Sequence, residues 1–332
     1  MEKLNILRIG VVLVVLSLLF SASDGFAQLK SKLLLNFDYI AQSQLKDPIP
    51  GFPDSDQAEW EMFTGEAEFS FPLFAAYETR GRHKIPKRAL INKLSYQRKV
   101  TQERLSGLSD DHFDGLNYTA TYLQRLGGGP WYLNLIGGIG IAADDLGEVA
   151  SDDAKIQAGI LFDRTSAAGW TWGLGVIFSQ FTGDNLVLPL IHLAKESDKT
   201  KFELLVPKIS FEYKLGNQTT FGLVGELEGD LYTVTNSDVT LFDGQGNIVK
   251  ENVGIELAFS EFKFGPQLKL SPQPNVTVAV HAGVSVARRF ELLAKDEGKT
   301  LRFPPGSNGA GEKVDFDIKP NAFIKAVINF EF

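Results

Sequence analysis

The sequence predicts an all-β chain that forms a transmembrane antiparallel up-and-down β-barrel. Three observations predict this class. Apolar and polar residues alternate in many short segments, the connections are long on one side and short on the other, and the last segment ends on an aromatic residue. Alternation at period two is typical of strands, because successive side chains point to opposite faces of a sheet. We expect about 12 strands, with 14 as the alternative.

The chain begins with a segment that is typical of a secretory signal. Basic residues precede an apolar run from Ile9 to Phe20, and small residues then lead to Ala27. We therefore expect residues 1–27 to be a signal peptide and residues 28–332 to be a single barrel domain with extracellular loops. The alternative, a retained membrane helix, would need an apolar run of roughly 20 residues.

Composition excludes several classes of protein. The chain contains no cysteine, so it has neither a disulfide framework nor a cysteine that could carry a lipid anchor. Its net charge is −8 and it carries no basic stripe, so a nucleic-acid partner is not expected. Four histidines without ligand spacing predict no transition-metal site, and no cofactor is expected.

Strands are expected from about Leu33–Ile40 to the end of the chain. The segments that follow show apolar residues at every second position, with polar residues between them and Gly, Pro, Asn or Ser at their ends. The apolar positions are Phe63, Ala67, Phe69 and Phe71; Leu90, Leu94 and Tyr96; Leu116, Tyr118, Ala120 and Tyr122; Trp131, Leu133, Leu135, Ile139 and Ile141; Ile156, Ala158, Ile160 and Phe162; Trp170, Trp172, Leu174, Val176 and Phe178; Ile209, Phe211 and Tyr213; Phe221, Leu223 and Leu227; and Val276, Val278, Val280, Ala282, Val284 and Val286.

The connections predict closure in a membrane. An open sheet in lipid would leave its edge groups unpaired at several kcal/mol each, so a spanning sheet closes into a barrel. Barrels of this kind have short periplasmic turns and longer external loops. The predicted short turns are 126–130, 165–169, 215–219 and 271–275, and the predicted long connections are 43–58, 103–112, 143–153, 233–252 and 290–315. A soluble β-sandwich is the alternative, but it would not need this asymmetry.

Three segments depart from the regular pattern. Connection 74–87 is long on the short side and contains the basic run Arg80 to Arg88, which we interpret as a solvated periplasmic loop. Segment 186–207 is either two barrel strands, giving 14, or an external hairpin, giving 12, and its short length favours 12. Near Ser260 the apolar face changes, which predicts a bulge or an extension beyond the membrane.

The last segment, Asn321 to Phe332, has apolar residues at every second position and ends on Phe332. It resembles the C-terminal strand of Gram-negative outer-membrane β-barrel proteins. This resemblance implies that Phe330 and Phe332 form an insertion signal for the barrel-insertion machinery. It also implies export through the secretory pathway to the cell outer membrane, where the partner is outer-membrane lipid.

A second resemblance concerns the segment Leu-Leu-Val-Pro at 204–207 and the residues Lys-Ile-Ser-Phe-Glu-Tyr that follow it. This segment is similar to a family of uncharacterised outer-membrane barrels known only as a domain of unknown function. The resemblance implies a barrel fold and carries no activity with it.

Charged and polar residues on the face opposite the apolar positions are candidates for lining the lumen. Both signs of charge are present, so they could set a solute preference in a pore or pair across a closed interior. The candidates are Glu66, Glu68, Lys93, Asp163, Glu212, Glu226, Glu228, Glu261, Lys263, Lys269, His281 and Lys325.

Catalysis and metal binding are not expected. His281 and Ser285 share a face and suggest a lipid hydrolase, but residues four apart on a strand are separated by roughly 13 Å, too far for a nucleophile and its base. The acidic segment from Asp144 to Asp153 could hold Ca²⁺, but it lacks the order of an EF-hand loop and is interpreted as solvated.

These observations favour a channel or transporter for an unidentified small solute, with loops 233–252 and 290–315 constricting its mouth. The alternative is a non-conducting structural or surface-interaction barrel. An outer-membrane lipid hydrolase is a weaker alternative, and the protein is not expected to be an enzyme.

Overall fold

The computed structural model describes residues 29–44, 59–80, 83–103, 112–166, 168–181, 185–234, 241–242, 248–250, 255–294 and 313–332. The predicted signal peptide and most of loops 233–252 and 290–315 lie outside these ranges. Within them, no helix is long and apolar enough to cross a membrane.

The described residues form strands joined by turns, with a single 3-10 turn at Ser151–Asp153 among them. The strands are β1 (Lys32–Gln44), β2 (Glu59–Arg80), β3 (His83–Glu103), β4 (His112–Leu126), β5 (Trp131–Ala143), β6 (Lys155–Thr165), β7 (Trp170–Ser179), β8 (Leu186–Glu196), β9 (Thr200–Leu205), β10 (Lys208–Lys214), β11 (Thr219–Val234), β12 (Leu241–Phe242), β13 (Ile248–Lys250), β14 (Ile255–Gln273), β15 (Val276–Ala294), β16 (Lys313–Ile318) and β17 (Asn321–Glu331).

The sheet closes on itself, as predicted. Strand β1 pairs antiparallel with β17 from Lys32 opposite Glu331 to Ile40 opposite Phe323, and β14 pairs with β15. Strand β16 continues the position of β17 along β15, so the closed barrel has 14 strands. Strands β12 and β13 form a separate two-stranded sheet. The count of 14, the alternative in the sequence analysis, holds because β8 and β9 are barrel strands and not an external hairpin.

The apolar positions of the strands face outward. Ile324 on β17 is 49% exposed, and Val280 and Leu174 on other strands are also exposed. A sheet whose outer surface carries exposed aliphatic and aromatic side chains is suited to lipid, because lipid and not water covers that surface in an outer-membrane barrel. The last strand therefore presents Ile324 to the outside of a closed barrel, and the alternative of a soluble β-sandwich does not hold.

The connection at 74–87 is not a loop. Strands β2 and β3 remain paired down to Arg80 opposite His83, with irregularities in register near Pro72 and Tyr77. The predicted exception is therefore a long hairpin whose strands pair as far as Arg80 and His83, and the prediction of a solvated periplasmic loop was wrong. Alternation was hidden here because two bulges shift the side chains from one face to the other.

A bulge lies close to the predicted position, but on the partner strand. The register between β14 and β15 shifts between Ser260 and Phe262, and Ala287 on β15 has a φ of 51°. Strand β14 itself continues without an extra residue. Phe259, in the half of β14 nearer the extracellular end, points into the barrel, where its ring lies 4.4 Å from Lys99 Nζ. The apolar face changes near Ser260 because apolar residues before it face the lumen and those after it face outward.

The barrel is shorter on one side. Strand β9 has six residues and β10 has seven, and they meet at Val206 and Pro207, halfway along their neighbours β8 and β11. Beyond this hairpin, Thr233 at the end of β11 pairs in parallel with Ala143 at the end of β5. At this end, β5 and β11 are neighbours, so the ring of paired strands leaves out β6 to β10. This end lies opposite the chain termini, and we refer to it as the extracellular end.

Candidate functional site

The lumen contains a cluster of buried ion pairs, which we call the lysine cluster, centred on Lys263 of β14. The Lys263 ammonium donates hydrogen bonds to Asp38 of β1, to Glu228 of β11 at 2.6 Å, and lies 2.8 Å from Glu261. Of the three donors of the ammonium, two therefore bind Asp38 and Glu228, and Glu261 contributes an ion pair. The side chain of Lys263 is 1% exposed and that of Glu261 is 0% exposed, so these charges depend on each other for compensation.

A second lysine extends the lysine cluster toward β17. Lys325 Nζ lies 2.6 Å from Glu226 and 2.7 Å from Glu228. Glu228 therefore accepts from both Lys263 and Lys325, one on each carboxylate oxygen. Alternation places all of these side chains on the inward face, and the closure of β1 onto β17 brings Asp38 and Lys325 beside the residues of β11 and β14.

Arg288 and Ser285 of β15 complete the lysine cluster on its upper side. Arg288 lies 3.5 Å from Glu261 and donates a hydrogen bond to Ser43 of β1. The hydroxyl of Ser285 donates to Glu261. The sequence analysis did not select Arg288, because the bulge at Ala287 moves it onto the inward face.

The Ser285 hydroxyl is thus committed to a carboxylate and not to His281. The His281 ring stands edge-on against Phe323, with ring centroids 4.8 Å apart. Ser285 and His281 therefore do not form a pair of the kind that activates a nucleophile.

A separate polar group lies on the opposite wall. Asp163 of β6 accepts a hydrogen bond from Asn134 of β5 at 2.8 Å and lies 2.8 Å from His192 Nδ1 of β8. The Asp163 side chain reaches β8 by passing over Gly173 of β7, where an added Cβ would lie 2.0 Å from its carboxylate oxygen. The glycine therefore creates the space for this bridge.

We expect Gly173→Ala to break the bridge between Asp163 and His192. The new methyl group would displace the carboxylate, and the loss of these hydrogen bonds should lower the free energy of unfolding by about 1–3 kcal/mol. Denaturant unfolding of the reconstituted barrel measures this change. Gly137→Ala is the control, because a Cβ at Gly137 meets no atom within 4 Å. Equal stability of the two variants would contradict the role of Gly173.

Other predicted lumen residues form ion pairs or a hydrogen bond closer to the end of the barrel that carries the chain termini. Lys269 pairs with Glu212 at 2.5 Å, Lys93 pairs with Glu68 at 3.1 Å, and Asn36 donates to Glu66 at 3.3 Å. Charges of both signs thus lie on one inward surface. Lys93 pairs with the adjacent strand β2, Lys269 of β14 reaches past β11 to Glu212 of β10, and Glu66 accepts from a neutral amide.

The carboxylates do not form an open metal site. Oxygens of Asp38, Glu228 and Glu261 lie within 4.8 Å of one another, the one such group among the described residues. The Lys263 ammonium lies among them and supplies the positive charge. In the acidic segment, Asp153 accepts from the backbone of Ala150 and Asp145 accepts from the backbone of Gly147, so these carboxylates stabilise turns.

Polar cavities follow one another along the lumen. The cavity nearer the chain termini, which we call the lower cavity, has a volume of about 430 Å³ and extends from Lys32 to Lys325. The cavity nearer the extracellular end is called the upper cavity. The upper cavity, of about 300 Å³, extends from Lys325 to Lys99. Asn36, Glu66 and Lys325 line both cavities and form their junction. A side cavity of about 250 Å³ shares Lys208 and Lys269 with the lower one.

The comparisons with known proteins concern the whole barrel. Residues 23–323 match the model of a family described as a domain of unknown function, DUF6268. The chain belongs to this family. A search of curated proteins found no match.

Solved structures of outer-membrane barrels match this DUF6268 protein with low sequence identity and low TM-scores. An outer-membrane channel from Pseudomonas putida F1 is 9% identical with a TM-score of 0.40, covering 91% of this chain and 95% of that one. The translocator domain of the autotransporter NalP from Neisseria meningitidis is 11% identical with a TM-score of 0.35, covering 98% and 97%. The Pseudomonas putida toluene transporter TodX is 7% identical with a TM-score of 0.30, covering 93% and 90%. The fold of this DUF6268 member is established by its own strand pairings.

The extracellular end of the lumen is packed, which the sequence analysis missed. Four residues at this end, which we call the apolar cap, are each at most 3% exposed: Phe113, Tyr232, Leu257 and Phe259. The rings of Phe113 and Tyr232 have centroids 4.9 Å apart. Lys99 of β3 reaches across the lumen to Phe259 of β14 and pairs with Asp230 of β11 at 2.6 Å. Side chains from opposite walls therefore meet at this end of this DUF6268 barrel.

Proposed function

We propose that this DUF6268 protein transports small solutes through its lumen. The observation that carries the proposal is the pair of polar cavities joined at Asn36, Glu66 and Lys325. A barrel that served only as a structural element could fill its interior with packed side chains, as small barrels do. The cavities give a solute space on both sides of a charged junction.

The site of action in this proposal is the cell outer membrane. It would be reached through the secretory pathway with cleavage after Ala27, and Phe330 and Phe332 would be recognised by the insertion machinery. The barrel closure and the outward apolar surface support this location.

Solute uptake into vesicles tests the proposal. Phosphatidylcholine vesicles containing the purified barrel should take up small neutral, anionic or cationic solutes faster than protein-free vesicles. Vesicles containing heat-unfolded protein control for leakage. Uptake no faster than in protein-free vesicles, for solutes of every charge, would exclude transport.

Lys325 should control the charge preference of this uptake. It lies at the junction and compensates Glu226 and Glu228. Removing its charge with Lys325→Gln leaves two carboxylates there, so uptake of a cationic solute relative to an anionic one of equal size should rise severalfold. Lys93→Gln removes the same charge from a side chain that is 44% exposed, and it should change the ratio much less. A ratio that does not change for Lys325→Gln would contradict a path through the junction.

The apolar cap favours a second candidate, a non-conducting structural or surface-interaction barrel. Packed side chains at the extracellular end oppose axial passage of water and ions. This candidate predicts no protein-dependent uptake in the vesicle experiment, so the same measurement separates the two functions.

A further inference from the structure

Among the residues that the structure describes, the barrel wall has a gap above the short hairpin of β9 and β10. Val206 donates to the carbonyl of Ile191 on one side, and the carbonyl of Pro207 accepts from Leu227 on the other. Beyond these contacts, residues 186–190 of β8 and 228–232 of β11 continue upward, and the ladders of β9 and β10 end before reaching them. We call the space between these two segments the lateral gap.

The sequence of β8 changes at the lateral gap. Below it, the inward face carries His192. Beside it, residues 186–191 read Leu-Val-Leu-Pro-Leu-Ile and are apolar on both faces. Leu190 lies on the inward face with His192, whereas Val187 and Ile191 are exposed outside. On β8, the inward surface is therefore apolar beside the interruption of the wall, which suits an apolar molecule crossing the wall there.

Pro189 supports the assignment of this part of β8 as an edge. The carbonyl of Ile191 faces β9, because it accepts from Val206 at 3.1 Å. Residues two apart on a strand direct their backbone groups to the same side, so the nitrogen of Pro189 faces the lateral gap. Proline has no N–H group, and it is tolerated in strands where that group would face an open edge.

The opposite edge is polar. The N–H of Leu227 points toward the hairpin, where it donates to Pro207 at 3.1 Å. By the same alternation, the backbone groups of Gly229 point into the lateral gap, whereas Leu231 above it is 4% exposed and is already covered. In pure hydrocarbon such groups cost several kcal/mol each, so an occupant with a hydrogen-bonding group is favoured over a purely aliphatic one.

The upper cavity reaches this edge. Its lining includes Leu227 and Gly229 together with Lys99 and Asp230. The apolar cap lies above, and the lateral gap lies to the side. A molecule in the upper cavity therefore contacts the β11 edge of the lateral gap and meets packed side chains along the barrel axis.

We propose that the lateral gap is a passage between the lumen and the surrounding membrane for amphipathic molecules, which carry an apolar chain or ring and a few hydrogen-bonding groups. The apolar part would pass against Leu188 and Leu190 of β8, and the polar part would bind the backbone of Gly229 on β11. This inference rests on the proposed transport function, because it names the substrate class and the exit of the same lumen.

Fluorescence quenching by brominated lipid tests whether acyl chains reach the lateral gap. The native chain has no cysteine, so a bimane label can be attached to a single introduced thiol. Leu190→Cys places the label beside the lateral gap. Leu161→Cys is the matched control, because Leu161 is an inward leucine with 6% exposure against 8% for Leu190, on a strand paired on both sides. Val176→Cys, on the outer surface, reports full contact with lipid.

In vesicles of phosphatidylcholine with brominated acyl chains, the label at position 190 should be quenched at least half as strongly as that at 176. The label at 161 should not be quenched. Quenching at 190 no stronger than at 161 would overturn the proposal. If Leu190→Cys does not fold, Leu188→Cys on the same face serves instead.

A second arm tests the substrate class. Bromoundecanol added to vesicles of ordinary phosphatidylcholine should quench the label at 190 with saturation, as expected for a site, and the label at 176 in proportion to its concentration in the membrane. Proportional quenching at both positions would exclude a site for amphipathic molecules. Neither arm requires transport, so failure of solute uptake with quenching at 190 would remove the transport function and leave the lateral gap in place.

Discussion

Lys263→Met should lower the free energy of unfolding of the barrel by about 3–5 kcal/mol, because it leaves buried carboxylates without their shared cation. Asp38, Glu228 and Glu261 all bind the Lys263 ammonium, and they come from different strands, β1, β11 and β14. Without it, three negative charges would lie within 4.8 Å of one another. Denaturant unfolding in lipid vesicles, followed by the mobility of the folded barrel on a gel, measures the loss.

Lys93→Met is the control for this prediction. It removes a lysine that also pairs with a glutamate, at 3.1 Å from Glu68, but its side chain is 44% exposed. Exposed pairs contribute about 0–1 kcal/mol, so this variant should remain close to the native stability. If Lys263→Met does not fold, the double variant Lys263→Met and Glu228→Gln should recover folded barrel, since it removes one uncompensated charge. Equal stability of the two lysine variants would show that the lysine cluster does not hold these strands together.

The second large effect is expected at the extracellular end. Replacing Tyr232 and Phe259 of the apolar cap by alanine should open an axial path and raise single-channel conductance in planar bilayers many-fold above that of the native protein. Both rings are nearly fully buried, and Lys99 packs against them at 5.3 and 4.4 Å from their centroids. Apolar constrictions exclude water and ions from a pore, so their removal should admit both.

Phe211→Ala with Phe221→Ala is the matched control, because these rings are 45% and 44% exposed on the outer surface. This variant also removes two aromatic rings but does not change the lumen, and its conductance should match that of the native barrel. Loss of large core side chains costs about 3–5 kcal/mol each, so each variant is first shown to be folded by its gel mobility. Native conductance in a folded Tyr232 and Phe259 variant would mean that the apolar cap does not close the axis.

Alternation of apolar and polar residues was sufficient to identify some of the lumen residues but not all of them. Glu226, Glu228, Lys263 and Lys325 could be selected from the sequence because each lies on the polar face of a regular strand. Asp38 lies on the polar face of the first predicted strand and carried the same signal, but it was not selected. Arg288 could not be found in this way, because the bulge at Ala287 reverses the alternation before it.

The sequence by itself determined that this chain is a closed antiparallel barrel with an apolar outer surface. This follows because a period-two pattern depends on neighbours in the chain, and because a sheet in lipid must pair its own edges. Only the tertiary structure decided that there are 14 strands, that Lys263 joins carboxylates of β1, β11 and β14, that the apolar cap fills the extracellular end, and that β9 and β10 end halfway. These features depend on the register between strands that are distant in the chain, which brings together residues such as Lys99 and Asp230. The alternation within one strand does not determine its register with a distant strand.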